Sequence, residues 1–150
     1  DFGLAYAKSQ ISSGNSLPTK GLAFISLKDK HKNEGIDLAK KLVQLNFTLC
    51  GTEGTANAIQ KNGIKCKKIN KVSGGSPHIV DVLNAKKIAL VINTGGGKRD
   101  YRILDSTSLR RATLINKVPY CTNMSTAYAC LEGIKSLKSK KINVKAIQEI

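Results

Sequence analysis

The side chains of this sequence that could do chemistry are hydroxyls and lysines placed beside glycines. Residues 51–55, Gly-Thr-Glu-Gly-Thr, set Thr52 and Thr55 between an apolar run and a helical pattern. Residues 70–78 set Lys71 ahead of a Gly-Gly pair at a second junction of this kind. Glycines let a ligand approach the backbone closely, and N–H groups at a helix start favour anions. Both segments are therefore candidates for holding a phosphate group.

Each segment also has a purely structural explanation. Residues 70–78 could form an ordinary surface turn, because Gly/Ser clusters commonly do. Thr55 could simply cap its helix. Neither segment has the GxxxxGK[ST] spacing of a P-loop, and glycines 95–97 do not follow the first strand, as a dinucleotide fingerprint would. Spacing alone leaves phosphate binding and a structural role open.

Groups for acid–base or nucleophilic catalysis are scarce. No Ser/His/Asp order or Cys/His pair is marked by its local context. Asp81 is predicted to be a surface charge on the helix after His78, and Asp105 to lie at a helix start, where a carboxylate can cap. Four cysteines without a CxxC pair and two isolated histidines predict no metal site. The side-chain inventory favours binding over catalysis.

The net charge of +15 raises nucleic acid or an anionic membrane as partners. The lysines are spread along the chain, however, and no aromatic residue interleaves with a basic cluster to form a stacking platform. No apolar run approaches the roughly 20 residues of a membrane span, and no signal peptide is present. We predict neither nucleic acid nor membrane as a partner. Lys28, Lys30 and Lys32 alternate after the first apolar run; such a run is usually solvated, but one lysine could reach an anion beside Thr52.

The 150 residues, 41% of them hydrophobic, are typical of one globular domain. Three cysteines lie in or beside apolar runs, namely Cys50, Cys66 and Cys121. This placement predicts buried, reduced thiols in a cytoplasmic protein. The first residue is Asp1 rather than methionine, so we expect an excised piece of a larger protein.

Apolar runs and helical spacings alternate along the chain. Strands are predicted at residues 21–27, 47–52, 64–70, 88–93 and 118–122; helices are predicted at 2–10, 33–45, 55–60, 78–84, 104–116 and 126–137. Residues 12–18 are an extended connector, residues 64–70 suit a sheet edge, and residues 88–93 suit a central strand. The tail from Lys138 to Ile150 is ambiguous and could contain a short strand and a helical turn. Five consecutive βα units predict a parallel sheet with helices on both faces.

In such sheets ligands bind beyond the carboxyl ends of the strands. Every predicted strand is followed there by polar residues, namely Ser26, Lys28 and Lys32, then Thr52, Glu53, Gly54 and Thr55, then Lys71, then Asn93 and Thr94, then Thr122 and Asn123. The topology therefore predicts one polar cluster at this edge of the sheet.

Several separated motifs, in order, point to a family. They are Asn-Lys-Val at residues 70–72, Pro-His-Ile-Val-Asp at 77–81, Ile-Asn-Thr at 92–94, Ser-Leu-Arg-Arg-Ala at 108–112 and Lys-Val-Pro-Tyr at 117–120. Together they resemble the C-terminal allosteric domain of the bacterial carbamoyl-phosphate synthase large chain. The resemblance covers nearly all of residues 1–140. It implies a methylglyoxal-synthase-like α/β fold for residues 18–150: a three-layer α/β/α sandwich around a five-stranded parallel sheet of order 3-2-1-4-5. It also implies that residues 1–17 are the end of the preceding synthetase half and a linker.

The resemblance implies regulation rather than catalysis. Bacterial members bind the inhibitor UMP, with IMP competing for the same pocket, and contribute to a site for the activator ornithine. Carried over by motif, Lys32, Thr52, Thr55 and Lys71 would hold the nucleotide phosphate, Ser26 and Asn93 would lie around the ribose and base, and Asp105 and Thr122 would contact ornithine. This sequence departs from the family pattern in a longer glycine loop and in Gly95 and Asn123, which stand where threonines are common.

The resemblance also implies partners and cofactors outside this chain. These are the remainder of the large chain, a glutaminase small subunit, and ATP with Mg or Mn and K ions in the synthetase halves; the fragment itself is expected to hold no cofactor and to be inert alone. A homo-oligomer through this domain is left open. The alternative within the same fold is methylglyoxal synthase acting on dihydroxyacetone phosphate. That enzyme has a catalytic aspartate where this chain has Ser76, and losing the carboxylate removes the general base.

Overall fold

A computed structural model of the chain describes residues 17–69, 78–94 and 100–148. Its strands are β1 (Gly21–Ser26), β2 (Phe47–Gly51), β3 (Lys67–Lys68), β4 (Leu90–Asn93) and β5 (Tyr120–Cys121). Its helices are α1 (Lys32–Gln44), α2 (Glu53–Lys61), α3 (Ile79–Asn84), α4 (Asp100–Ile115) and α5 (Met124–Gln148), and a 3-10 turn (Asp29–His31) precedes α1. The predicted helix at residues 2–10 lies outside the described residues.

The described strands form one parallel sheet in the order β3-β2-β1-β4-β5. The predicted fold class and strand order are therefore confirmed. β1 lies at the centre and pairs Ile25 with Gly51 of β2 and Ser26 with Asn93 of β4. This register brings the carboxyl ends of three strands side by side, although they are far apart in the sequence.

Helices cover both faces of the sheet, as alternating strand residues require. One core cluster joins α1, α2 and α5 to the sheet through residues such as Ile25, Leu42 and Ile134. A second core, on the opposite face, joins α3 and α4 to the sheet through Phe24 and Leu83. The result is a three-layer α/β/α sandwich.

Element ends differ from the sequence prediction where tertiary contacts decide them. β3 is an edge strand, as predicted, but only Lys67 and Lys68 pair with β2 rather than the whole of 64–70. The last helix runs to Gln148, so the strand considered for the tail is wrong. Residues 134–148 contain neither glycine nor proline, and nothing in them stops a helix.

Two predicted helix starts are also wrong, and both concern candidate site residues. α2 begins at Glu53 with Thr52 at its N-cap position, so Thr55 lies in the first turn and does not cap the helix. α4 begins at Asp100, which places Asp105 in the helix rather than at its start. Residues 100–103 contain neither glycine nor proline, so nothing in them prevents the helix from beginning before residue 104.

Gly51 allows β1 and β2 to end in close contact. A Cβ at this position would lie 2.6 Å from the backbone oxygen of Ile25. The backbone at the carboxyl end of β2 thus packs directly against its neighbour, which is a reason for glycine at the first residue of the Gly-Thr-Glu-Gly-Thr segment.

Candidate functional site

Three hydroxyl groups meet where β1 and β2 end. Thr52 Oγ1 lies 3.4 Å from Ser26 Oγ and 3.4 Å from Thr55 Oγ1. These separations are well beyond the usual 2.7–2.8 Å (roughly) of O–H···O bonds, so the mutual hydrogen bonds are weak. Thr52 has one hydrogen and cannot serve both neighbours fully. The cluster can therefore turn hydroxyl hydrogens toward a ligand at little cost.

Thr55 also has a structural role that sequence reasoning did not predict. Its side chain is 1% exposed, and its Oγ1 accepts a hydrogen bond of 3.0 Å from the Leu27 amide. This bond ties the segment after β1 to the first turn of α2. Thr55 keeps its own hydroxyl hydrogen as a donor, so structural support and ligand binding are compatible in this residue.

Lys32, one of the three candidate lysines, begins α1, and its ammonium group lies at the start of α2. A Cβ on Gly54 would lie 3.2 Å from Lys32 Nζ, so the ammonium group rests against this glycine. The first backbone N–H groups of α2 and the hydroxyl of its N-cap residue, Thr52, are at the same helix end. An ammonium group, helix amides and hydroxyls are the groups that bind phosphate oxygens.

The β4 side of β1 carries a second polar pair. Asn93, the last residue of β4, is 8% exposed, and its Nδ2 donates a hydrogen bond of 3.1 Å to Tyr120 Oη. Burial raises the pKa of Tyr120, against the lowering effects of the Asn93 hydrogen bond and the Arg110 charge. Tyr120 therefore stays protonated and holds the Asn93 amide. Tyr120 was not among the predicted site residues, because it lies 27 positions from Asn93.

Thr94 and His31 form a further junction that the sequence prediction missed. Thr94 Oγ1 accepts a hydrogen bond of 3.1 Å from the Lys28 amide and lies 3.1 Å from His31 Nδ1. The Thr94 amide donates to Ser26 O at 2.9 Å, which continues the β1–β4 ladder. The sequence indicates Thr94 only as a polar residue after β4, and His31 only as an isolated histidine.

The other predicted site residues are more scattered. Thr122 follows β5 and is exposed. Asp105 lies within α4. Lys71, Ser76 and the glycine loop 95–97 lie outside the described residues. Asn123 Oδ1 accepts a hydrogen bond of 2.8 Å from the Thr126 amide and so caps α5, a role that a threonine could also fill.

The cysteines do not resemble catalytic nucleophiles. All four are buried and unpaired, which the sequence predicts for Cys50, Cys66 and Cys121 but not for Cys130. Burial raises the pKa of the Cys50 thiol to about 12 and that of Cys66 to about 11, with the neighbouring Cys66 adding to the effect on Cys50. A hydrogen bond with Cys121, together with burial, raises the pKa of Cys130. Thiols held protonated in this way are poor nucleophiles.

Other kinds of site find no support in the described ranges. Residues 17–69, 78–94 and 100–148 contain no group of three or more His, Cys, Asp or Glu side chains able to hold a metal ion. Within the same ranges no helix is both long enough and apolar enough to cross a bilayer.

The fold and the polar edge define the class: an α/β/α domain with five parallel strands in the order 3-2-1-4-5 and a hydroxyl-rich cluster beyond the central strand. Residues 34–122 match the MGS-like domain family. The chain belongs to this family.

Relatives of the chain include carbamoyl phosphate synthase large chains. The large chain of Mesorhizobium japonicum is 42% identical over 149 residues, which are 99% of this chain and 13% of that protein. The C-terminal section of the large chain of Methanopyrus kandleri is 41% identical over 149 residues, covering 99% of this chain and 27% of that protein. The corresponding section of Aquifex aeolicus is 43% identical over 155 residues, covering 100% of this chain and 28% of that protein. The chain thus spans between 13% and 28% of the length of these relatives.

Proposed function

We propose that this chain is the regulatory domain of a glutamine-hydrolysing carbamoyl-phosphate synthase large chain and that it binds the phosphate of UMP or IMP. The observation that carries the proposal is the convergence of Ser26, Thr52 and Thr55 hydroxyls, beside the Lys32 ammonium, at the N-terminus of α2. Hydroxyls and helix amides donate to phosphate oxygens, and the lysine supplies positive charge. The identity to large chains over nearly the whole chain gives the proposal its biological setting.

Different residues contact different parts of the nucleotide. Lys32, Thr52, Thr55 and Lys71 hold the phosphate, whereas Ser26 and Asn93 lie around the ribose and base. Asn93 is well suited to a fixed contact, because Tyr120 orients its amide. Asp105 and Thr122 contribute to a separate site for ornithine, formed against the preceding synthetase half.

We infer that the synthesis of carbamoyl phosphate takes place in other parts of the large chain. The chain alone does not catalyse; ATP with Mg or Mn and K ions acts in the synthetase halves, and the small subunit supplies ammonia from glutamine. The assembled cytoplasmic ligase serves arginine and pyrimidine biosynthesis. UMP or IMP and ornithine then act by favouring one of the states of the whole enzyme.

Calorimetric titration of UMP into the chain tests the phosphate site. Lys71→Ala should weaken UMP binding by about 1.5–3 kcal/mol, the usual loss for a charge-assisted hydrogen bond. Lys30→Ala, on the turn before α1, is the matched control, since it removes an equal charge outside the proposed ligand set. Equal UMP affinity in wild type and Lys71→Ala would contradict the assignment of Lys71. Titrations of IMP and ornithine, repeated with the full large chain, test the remaining effectors.

An assay with dihydroxyacetone phosphate separates regulation from the methylglyoxal synthase alternative. A regulatory domain should give no methylglyoxal above the uncatalysed rate. Measurable turnover that disappears with Ser76→Ala would overturn the regulatory proposal in favour of an enzyme with a different proton-abstracting group.

A further inference from the structure

We propose that His31 is a pH-sensitive positioning residue of the phosphate-ester site, acting through its hydrogen bond with Thr94. This inference rests on the proposed function, because it concerns the same site. His31 lies at the end of the 3-10 turn, directly before α1 and Lys32. Its Nδ1 reaches across to Thr94 Oγ1, beyond the end of β4. One histidine thus connects the turn that directly precedes Lys32 to Thr94, the residue that follows Asn93.

Thr94 Oγ1 has one hydrogen to donate and two lone pairs to accept with, and this makes its contact with His31 sensitive to protonation of the imidazole. Thr94 Oγ1 already accepts from the Lys28 amide. With a neutral imidazole carrying its hydrogen on Nε2, Nδ1 is an acceptor, and the Thr94 hydroxyl must donate to it. With a protonated imidazole, Nδ1–H donates to the second lone pair of Thr94 Oγ1. The hydroxyl hydrogen of Thr94 is then available to another acceptor, such as an oxygen of a bound ligand.

Protonation also places a positive charge next to Lys32. The charged residues that flank His31 in its own turn and helix are Lys28, Asp29, Lys30, Lys32 and Glu34, whereas β4 contributes only uncharged residues. Among these types of side chain, imidazole is the one that changes its charge between about pH 6 and pH 8. Charge and hydroxyl orientation therefore change together with His31, and both changes favour a phosphate ester at low pH.

Both halves of the contact are held in place before any ligand binds. The His31 amide donates to Lys28 O at 2.9 Å, and the Thr94 amide donates to Ser26 O at 2.9 Å. Thr94 is 4% exposed, so its hydroxyl has few alternative partners in water. The backbone of both residues is therefore held in place when the hydrogen bond between His31 Nδ1 and Thr94 Oγ1 reverses.

The test compares UMP affinity of wild type and His31→Asn at pH 6 and pH 8. Asparagine keeps a hydrogen-bonding group near the Nδ1 position and carries no charge at either pH. We expect similar affinities at pH 8 and about fivefold tighter binding by wild type at pH 6, the effect of one partly exposed charge. The second ionisation of the phosphate, near pH 6 (roughly), affects both proteins equally and cancels in the ratio.

Lys30→Gln is the control for charge alone. It removes a lysine from the same turn, and its affinity relative to wild type should not change between the two pH values. His31→Gln serves as a second variant should His31→Asn lose its fold by circular dichroism. If both proteins bind UMP and the ratio of their UMP affinities, wild type to His31→Asn, is the same at both pH values, the inference is overturned. The proposed function then remains intact. Failure of wild type to bind UMP at either pH overturns the proposed function, and the inference falls with it.

Nuclear magnetic resonance of the imidazole nitrogens gives a readout that needs no ligand. The chain has two histidines, so His31→Asn assigns the His31 signals by difference. Neutral His31 should show the tautomer with its hydrogen on Nε2, and Thr94→Val should shift the Nδ1 signal. A neutral tautomer with hydrogen on Nδ1 would overturn the reversal of the hydrogen bond.

Discussion

Gly51 and Gly54 differ in what a methyl group would meet, although they lie three residues apart at the same strand end. At Gly51 the obstacle is the backbone oxygen of Ile25, at 2.6 Å, which cannot move without shifting β1. At Gly54 the obstacle is Lys32 Nζ, at 3.2 Å, the far end of a flexible side chain. Gly51 therefore allows the strands of the sheet to pack closely, whereas Gly54 leaves room for the ammonium group of Lys32, which is proposed to bind phosphate.

Substitution of these glycines by alanine should separate stability from binding. Gly51→Ala should lower the free energy of unfolding by about 1–3 kcal/mol, because the main chain is overpacked. Gly54→Ala should leave the free energy of unfolding unchanged or raise it by about 0.5 kcal/mol through helix propensity. It should nevertheless weaken UMP binding about threefold to tenfold, since the ammonium must move from its charge-assisted contact. Urea denaturation and calorimetry measure the two effects; a Gly54→Ala variant with wild-type UMP affinity would remove Lys32 from the site.

At the scale of elements, α5 is fastened to α1 by polar contacts at the surface. Tyr128 Oη is within hydrogen-bond distance of Glu34 O, at 3.2 Å, and of Asp37 Oδ2, at 3.0 Å. Lys41 Nζ lies over the Tyr128 ring, 5.1 Å from its centroid, and Lys138 donates to Leu45 O at the end of α1. These contacts explain how a helix that begins after the edge strand β5 is aligned with the helix that follows β1.

The Tyr128 contact predicts a loss of stability in alkali. Burial, the Asp37 hydrogen bond and nearby negative charge raise the pKa of Tyr128 from 10.0 to about 12 in the folded chain. The folded state keeps the proton in the window between these values, whereas the unfolded state loses it, so stability present below pH 10 falls as the pH rises toward 12.

Tyr128→Phe provides the comparison for this prediction. At pH 8 the variant should be less stable by about 0.5–1 kcal/mol, the contribution of one accessible hydrogen bond. The difference between wild type and variant should shrink as the pH is raised from 10 to 12, and lysine titration cancels because it is common to both proteins. Urea denaturation across this range is the measurement. A difference that is constant with pH would show that Tyr128 is not stabilised in its protonated form.

At the scale of the whole molecule, a net charge of +15 on 150 residues is the dominant electrostatic feature. Exposed lysines include Lys67 and Lys68 on β3, where charge also protects an open sheet edge from pairing with other chains. Like charges repel in the compact state, and this cost is reduced by salt. A positive net charge of this kind attracts anions in general.

We therefore expect sodium chloride to stabilise the chain. Raising it from about 0.01 M to about 0.3 M should increase the free energy of unfolding by about 1 kcal/mol, because the Debye length falls below the spacing of surface charges. Sucrose at matched osmolality controls for general effects of solutes. Stability that is independent of salt, or that decreases with it, would mean that attractive charge pairs outweigh the repulsion.

The sequence by itself determined the alternation of strands and helices, the all-parallel sheet and the gathering of polar residues beyond the strands. These follow from local hydrophobic periodicity and from the short connections of βα units, both of which a single chain displays directly. The resemblance to a family added the strand order and named Lys32 and Thr52 as ligand residues. The Asn-Gly pair at residues 62–63 also indicated the end of α2, whereas the sequence did not reveal that α5 continues to Gln148.

Only the tertiary structure decided which side chains meet. The pairs His31 with Thr94, Asn93 with Tyr120, and Thr55 with the Leu27 amide are separated by 63, 27 and 28 positions. Nothing in the local pattern around either member points to the other, because hydrogen-bond partners across a sheet depend on strand register and order. Parallel pairing brings the carboxyl ends of β1, β2 and β4 side by side. Because of this arrangement, Thr55 supports the segment after β1, and His31 contacts Thr94 at the candidate site.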